Sequence, residues 1–240
     1  MKAIIMAAGE GTRLRPFTDI VPKPLIPIWF KDGCMHTIIE KLIYQIKEAG
    51  INDVAIVVNY KKELIKDYLK DGSRFGVKIR YFKQEVLDGN AGAISRCKPF
   101  IDDDILFTDA DNFVSDSDVF LKLKNIFEEG ADAVVGVKKV ENPKKYAIFK
   151  EKDGNIIDIC EKPEDESFGN LAKTGFGIIS RELAEKIEEI SKEPSNKKTT
   201  TQLFKYIINN NLRLKLFFVE SDFADLGTWE DYRKILKKEI

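Results

Sequence analysis

The 240-residue chain is 43% hydrophobic and 33% charged, and its 39 Lys and Arg nearly cancel its 40 Asp and Glu, for a formal net charge of −1. That length can bury the core of one α/β domain or of two small ones. A near-neutral balance provides no global field for nucleic acid or an anionic membrane, so neither is expected as a partner. Residues 4–7 read as a first buried strand, and 54–58, 77–82 and 105–108 as further strands by length and β-branched content. Between the first two, Ile38, Ile39, Leu42, Ile43, Ile46 and Ala49 recur at helical spacing, and Gly50 ends the helix. Strands separated by helical patterns predict βαβ units and a mostly parallel sheet, with ligands at the carboxyl ends of its strands. The second half changes style. Residues 131–137, 146–150 and 156–160 read as strands, the last two joined by the hairpin signal Lys152-Asp153-Gly154-Asn155. Helices are predicted at 181–191 and 201–209, a strand at 213–219, and a last helix after Gly227-Thr228-Trp229. No repeat, low-complexity tract or long linker interrupts the pattern, so 1–240 reads as one domain.

Cys34, Cys97 and Cys160 are scattered, with no Cys-x-x-Cys spacing. That argues against disulfides and a zinc site and for a reducing, cytoplasmic setting. The N-terminus enters a strand at once, without a leader pattern, and no apolar run approaches a membrane span. With His36 as the single histidine, a histidine general base is not expected.

The first strand runs into Ala8-Gly9-Glu10-Gly11-Thr12-Arg13-Leu14-Arg15-Pro16, followed by Pro22-Lys23-Pro24-Leu25. Glycines after a strand let the backbone approach an anion and aim N–H groups at it, and Arg13 and Lys23 add charge. The prolines flanking Lys23 are expected to hold it extended. The Walker pattern is absent, and Leu14 stands where a dinucleotide fingerprint needs its third glycine. A second acidic cluster, Asp109-Ala110-Asp111-Asn112, follows the strand at 105–108. Carboxylates at a strand end opposite a phosphate loop can hold Mg²⁺ while a nucleotide supplies the remaining oxygens. Asp109 is expected on the same side as Asp111; whether it joins a metal site is open.

The run at 7–16 followed by Lys23-Pro24-Leu25-Ile26-Pro27 resembles the signature of the sugar-1-phosphate nucleotidylyltransferases, with Ala8 where many members carry a further glycine. The resemblance implies a single Rossmann-like (GT-A-like) α/β domain whose central, mostly parallel mixed sheet is flanked by helices. It also implies a nucleotide-binding half over 1–130 and a sugar-phosphate-binding half over 131–240. The implied reaction transfers a nucleoside monophosphate from UTP or dTTP to a hexose 1-phosphate such as glucose 1-phosphate, with Mg²⁺ and release of pyrophosphate. Arg13, Lys23 and Asp111 would be catalytic, and Asp111 and Asp225 would hold the metal, Asp225 lying in a segment similar to the family's Asp-x-Gly-Thr. Ala8, Gly9, Gly11, Thr12, Gln84 and Gly89 would bind the nucleotide. A glutamine amide at 84 donates and accepts at once, as the uracil or thymine edge requires. Asn112, Tyr146, Glu161, Lys162, Gly175 and Thr201 would bind the sugar phosphate, Glu161-Lys162-Pro163 matching the family's Glu-Lys-Pro element. Thr201 is equally suited to cap the following helix, and Thr228 with Asp231 to cap the last one.

Departures stand at Asn90 and Ala110 in the nucleotide half and at Ala147 and Thr174 in the acceptor half, where they bear on the identity of the acceptor. They leave two alternatives: a cytidylyltransferase for phosphocholine or another phospho-alcohol, and a regulatory subunit that binds nucleotide sugars without turnover. The resemblance leaves room for a homo-oligomer and, with the chain ending soon after Asp225, no second acetyltransferase activity is expected.

Overall fold

The buried run at residues 3–7 forms the middle of a nine-stranded sheet in the computed structural model, which describes residues 1–30, 33–192 and 196–238. In chain order the first half comprises β1 (Lys2–Ala7), the ribbon β2 (Pro27–Trp29) and β3 (Met35–Thr37), α1 (Ile38–Glu48), β4 (Asp53–Val58), α2 (Lys62–Leu69), β5 (Lys78–Lys83), α3 (Asn90–Ser95), β6 (Ile105–Asp109), β7 (Asn112–Val114) and α4 (Val119–Glu128). The second half adds β8 (Ala133–Lys139), β9 (Ala147–Lys152), β10 (Asn155–Glu161), β11 (Leu171–Ile179), α5 (Arg181–Ile190), α6 (Thr200–Asn209), β12 (Leu214–Phe218), β13 (Phe223–Asp225) and α7 (Trp229–Lys238). Among the described residues, no helix is long and apolar enough to cross a membrane.

The sheet runs β10-β9-β11-β6-β1-β4-β5, with β8 beside β11 and β12 beside β8. Strands β6, β1, β4 and β5 are parallel, as βαβ units require, with Ile4 level with Ala55 and Phe107. Their carboxyl ends therefore share one edge, where the loops after β1 and β6 emerge. Strand β11 runs antiparallel to β6, β8 and β9. It pairs with β9 through Leu171 and Ala172 and with β6 from Phe176 onward, and its register against β8 shifts between Lys173 and Gly177. On the side facing β9 and β6, residues 173–175 therefore pair with neither strand, while Lys173 stays opposite Val137 of β8.

Alternation along β1 sends successive side chains to opposite faces. Ile5 packs with Leu42, Ile46, Ile56 and Phe120 under α1 and α4, while Ile4 packs with Val57, Phe107, Phe149 and Phe204 under α5 and α6. A third, smaller cluster joins Leu14, Ile26, Ile28, Ile38, Phe113, Leu226 and Ile235. It fastens the loop after β1 to β7, β13 and α7, four segments remote in sequence.

The four strands predicted in the first half, β1, β4, β5 and β6, fall within two residues of their predicted spans. The strand β11 was not predicted, because Lys173, Gly175 and Gly177 interrupt its apolar run, and β2, β3, β7 and β13 are too short to show a period. Helix α1 is closed by a capping box in which the Thr37 N–H donates to Glu40 at 2.8 Å. Helix α7 is capped by Thr228, whose Oγ1 accepts from the Asp231 N–H at 3.3 Å and donates to its carboxylate at 2.7 Å, as the sequence suggested.

Phe204 is fully buried, its ring 5.9 Å from Phe149 and 6.5 Å from Phe107. Phe204→Ala is expected to cost about 3–5 kcal/mol of stability, read as a lower urea midpoint at unchanged slope.

Candidate active site

Two clefts meet at the carboxyl edge of the parallel strands. The first, about 390 Å³, is lined by Ala8, Gly9, Lys23, Gln84, Gly89 and Asp111, with Asn90 and Asp109 beside them. A Cβ added at Gly9 would meet nothing within 4 Å, so its backbone faces open space. Gly11, at φ +67°, turns the chain into a short 3-10 turn at Thr12–Leu14 and backs onto Thr18 and Lys23. Gly11 and the exposed Thr12 line neither cleft. Lys23 is not extended, as its flanking prolines suggested; it opens a 3-10 turn over Lys23–Leu25, because the fixed φ of Pro24 suits a first helical turn. From there its ammonium forms an ion pair with Asp111.

Gln84 is only 3% exposed, and its Nε2 donates to Asp88 Oδ1 at 3.0 Å and to the Gly89 carbonyl at 2.9 Å. Both amide hydrogens are thus spent on its own loop, and the side-chain carbonyl is what it can offer a ligand, as acceptor alone rather than as donor and acceptor together. Gly89, at φ +109°, allows a close crossing: a Cβ there would collide with the Lys198 carbonyl. The same carbonyl accepts from the Ala91 N–H at 3.1 Å, while the Lys198 N–H donates to the Asp88 carbonyl at 2.6 Å.

The junction of the clefts is acidic. Pairing of β7 with β13 sets Asn112 opposite Asp225, and the Leu226 N–H donates to the Asp111 carbonyl at 2.8 Å, so Asp111 and Asp225 are neighbours. Burial, then the charge of Asp111, pushes Asp225 up to about 7, with Lys23 and Lys173 pulling the other way. Asp109, at the end of β6, is also raised to about 7 by burial and Asp111. A Cβ on Gly175 would collide with the Asp109 carboxylate and lie 2.7 Å from Asn112 Nδ2, so that position needs a glycine. Asn112 is fully buried beneath it, its Nδ2 donating to Thr108 Oγ1 at 3.2 Å and its Oδ1 without a partner, and it lines neither cleft.

Two neighbouring carboxylates, one of which is pushed toward its neutral form by the charge of the other, suit a hard divalent cation. Among the described residues no group of three or more His, Cys, Asp or Glu side chains could cage one. A cation held here by Asp111 and Asp225 would keep coordination positions for phosphate oxygens, as Mg²⁺ commonly does.

The second cleft, about 850 Å³, is lined by Arg13, Tyr146, Lys162 and Asp225 together with several lysines. The Arg13 guanidinium lies against Gly227, 3.3 Å from where a Cβ would sit. Lys162 follows β10 in the left-handed region at φ 48°, its N–H donating to the Tyr146 carbonyl at 2.8 Å. Burial and the charge of Asp225 raise the Tyr146 phenol. Thr201 does not cap α6: Thr199 does, accepting from the Gln202 N–H at 3.3 Å. The Thr201 hydroxyl donates instead to Glu161 Oε2 at 2.9 Å.

Lys138, Lys145 and Lys173 of this site have no counterpart in the sequence reading, and Lys173 is tied most closely to the acidic junction. Lys173 lies opposite Val137 of β8, at the stretch of β11 that pairs with neither β9 nor β6, and lines the second cleft. Its Nζ donates to Thr200 Oγ1 at 3.1 Å and to the Thr174 carbonyl at 3.4 Å. Burial lowers its pKa, opposed by the charges of Asp109, Glu161 and Asp225. Thr200 is in turn clamped by Asn90, whose Nδ2 donates to Thr200 Oγ1 at 3.0 Å while its Oδ1 accepts from the Thr200 N–H at 2.9 Å. The available signal for Lys173 was a lone lysine within an otherwise apolar run.

The sequence profile of the nucleotidyl transferase family matches residues 2–240. The bifunctional protein GlmU of Methanocaldococcus jannaschii is 35% identical over 95% of this chain and 51% of its own length. The low-salt glycan biosynthesis nucleotidyltransferase Agl11 of Haloferax volcanii is 32% identical over 96% of this chain and 64% of its own. The UTP–glucose-1-phosphate uridylyltransferase of Synechocystis is 30% identical over 100% and 64%. The chain thus spans between about half and two-thirds of these relatives. A structure of a putative glucose-1-phosphate thymidylyltransferase from Bacillus anthracis, in complex with a sucrose, superposes with a TM-score of 0.89 at 25% identity, covering 100% of this chain and 95% of the other. With the glycine loop, the paired aspartates and the two adjoining clefts in one place, the chain belongs to the sugar-1-phosphate nucleotidyltransferase family.

Proposed function

We propose that the chain transfers a nucleoside monophosphate from a nucleoside triphosphate to a sugar 1-phosphate and releases pyrophosphate. The observation that carries this is the meeting of the two clefts. An anion-ready glycine loop with Lys23 stands on one side, a lysine-lined cleft on the other, and Asp111 and Asp225 lie between them. For the base we favour uracil or thymine, since the Gln84 carbonyl can accept from N3–H; the uridylyltransferase and thymidylyltransferase among the similar proteins agree with that choice. A cationic second cleft disfavours phosphocholine, whose quaternary ammonium calls for aromatic faces. A regulatory role without turnover is disfavoured because Arg13, Lys23 and Asp225 are all present.

In this reading an oxygen of the acceptor phosphate attacks the α-phosphorus in line, and the bond to the bridging oxygen of pyrophosphate breaks. The attacking oxygen is already ionised at neutral pH, so positioning and charge neutralisation do the catalysis. Lys23 neutralises the α-phosphoryl oxygens, and Arg13 holds the departing pyrophosphate with a planar fork. Lys162 binds the acceptor phosphate, while Glu161, steered by Thr201, accepts from sugar hydroxyls. Bound at Asp111 and Asp225, Mg²⁺ would supply further neutralisation of phosphate charge.

Arg13→Ala and Asp111→Ala should each lower kcat by on the order of 10²-fold or more, measured as pyrophosphate release from UTP or dTTP with glucose 1-phosphate and Mg²⁺. Near-normal turnover of the Asp111 variant would remove it from the reaction. Because Asp225 titrates near 7 when folded against an ordinary 3.8, the folded chain binds more protons between those values. Metal-free protein should therefore lose stability as pH rises through that window. Asp225→Asn should flatten this part of the Tm–pH curve. Mg²⁺ should raise the wild-type Tm at pH 8 and scarcely at pH 5, where the carboxylate holds a proton; an equal rise at both would count against the site.

A further inference from the structure

The acceptor cleft carries more positive charge than the single phosphate of an otherwise uncharged sugar requires. Besides Arg13 and Lys162, its lining includes Lys138 near the end of β8, Lys145 in the turn before β9, and Lys173 in β11. The carboxylates on the same walls are otherwise engaged. Glu230 pairs with Lys234 at 2.8 Å, Asp231 accepts from the Thr228 hydroxyl at 2.7 Å, and Asp225 faces Asp111. Among the described residues Lys138, Lys145 and Lys162 make no close ion pair, although Lys145 acts on Glu230 from a distance, and Lys173 is hydrogen-bonded only to neutral oxygens while the charges of Asp109, Glu161 and Asp225 offset part of its own.

An ammonium can only donate hydrogen bonds, whereas sugar hydroxyls are best recognised by groups that accept or do both. The phosphate of the acceptor is already matched by Lys162, with Arg13 and the Asp225 region adjoining. Lys138, Lys145 and Lys173 add positive charge to the cleft wall that a neutral hexose cannot match. Their arrangement makes sense if the ligand brings charge of its own. We infer that the natural acceptor is a sugar 1-phosphate bearing a second anionic group, a carboxylate or another phosphate, held by Lys138, Lys145 and Lys173. Lys173 meets it from the buried side of the cleft and Lys145 from the exposed side. This inference rests on the transferase reading above and narrows its substrate class.

Pyrophosphate release would be measured with UTP, dTTP, CTP, GTP and ATP against three acceptors: α-D-glucose 1-phosphate, α-D-glucuronic acid 1-phosphate and α-D-glucose 1,6-bisphosphate. At least one doubly anionic acceptor should exceed glucose 1-phosphate by roughly tenfold or more in kcat/KM, the worth of one charge-assisted contact. The uronate and bisphosphate arms separate carboxylate from phosphate. In Lys138→Met and Lys145→Met, both on accessible positions, the preference should shrink to about threefold or less through a higher acceptor KM, with the triphosphate KM unchanged. Glucose 1-phosphate serving as well as either anionic acceptor would overturn the inference, as would a preference untouched in both variants. A rise in the triphosphate KM instead would assign these lysines to the nucleotide and also overturn it. Turnover of glucose 1-phosphate without any preference sinks this inference alone, whereas no pyrophosphate from any pair sinks the transferase reading with it.

Discussion

Three carboxylates repel one another in a corner that excludes most water, and the rest of the site is arranged around that repulsion. Asp109, Asp111 and Asp225 are brought together by backbone pairing: β6 ends at Asp109, β7 starts at Asn112, and β13 lays Asp225 across from it. Behind them the apolar cluster of Leu14, Ile26, Phe113, Leu226 and Ile235 holds the strands and the loop after β1 in place. Packing of that kind can enforce a charge arrangement that solution would disperse. Lys23 on Asp111, and Lys173 near Asp109 and Asp225, offset part of the charge.

The two clefts are not independent. Lys198 forms an ion pair with Asp88 at 3.1 Å and with Glu188 at 2.7 Å, and its backbone crosses directly over Gly89. One step further on, Asn90 clamps Thr200, Thr200 accepts from Lys173, and Thr201 holds Glu161. The loop that forms one side of the first cleft is therefore hydrogen-bonded, through the start of α6, to the groups that shape the second. Because these bonds are partly buried, losing one leaves a polar atom without water to replace its partner. A change at Asn90 would accordingly be felt on both sides.

Much of this was legible in the residues. The run of small and cationic residues after β1, the aspartates after β6, and the Asp-x-Gly-Thr segment each occupy one short stretch, and short stretches carry their own chemistry. Strands β1, β4 and β6 announced themselves because both faces are buried along nearly unbroken apolar runs, whereas β5 showed as an alternating, half-exposed edge strand. Gly89 was legible as a glycine but not for its reason, since the crossing of Lys198 lies more than a hundred positions away. The donors of Gln84 were likewise spent on Asp88 and Gly89 by a loop shape that its type alone does not reveal.

What the sequence by itself determined is therefore the family, the βαβ half of the sheet, and the glycine loop after β1, because each depends on local pattern. What only the tertiary structure decided is which groups share a cleft. Asn112 is withdrawn under Gly175, Thr201 is turned toward Glu161, and Lys173 is brought to the second cleft where β11 passes from β9 to β6. Those outcomes depend on strand register and on the approach of segments remote in sequence, and a residue's type does not encode the neighbours that burial will give it.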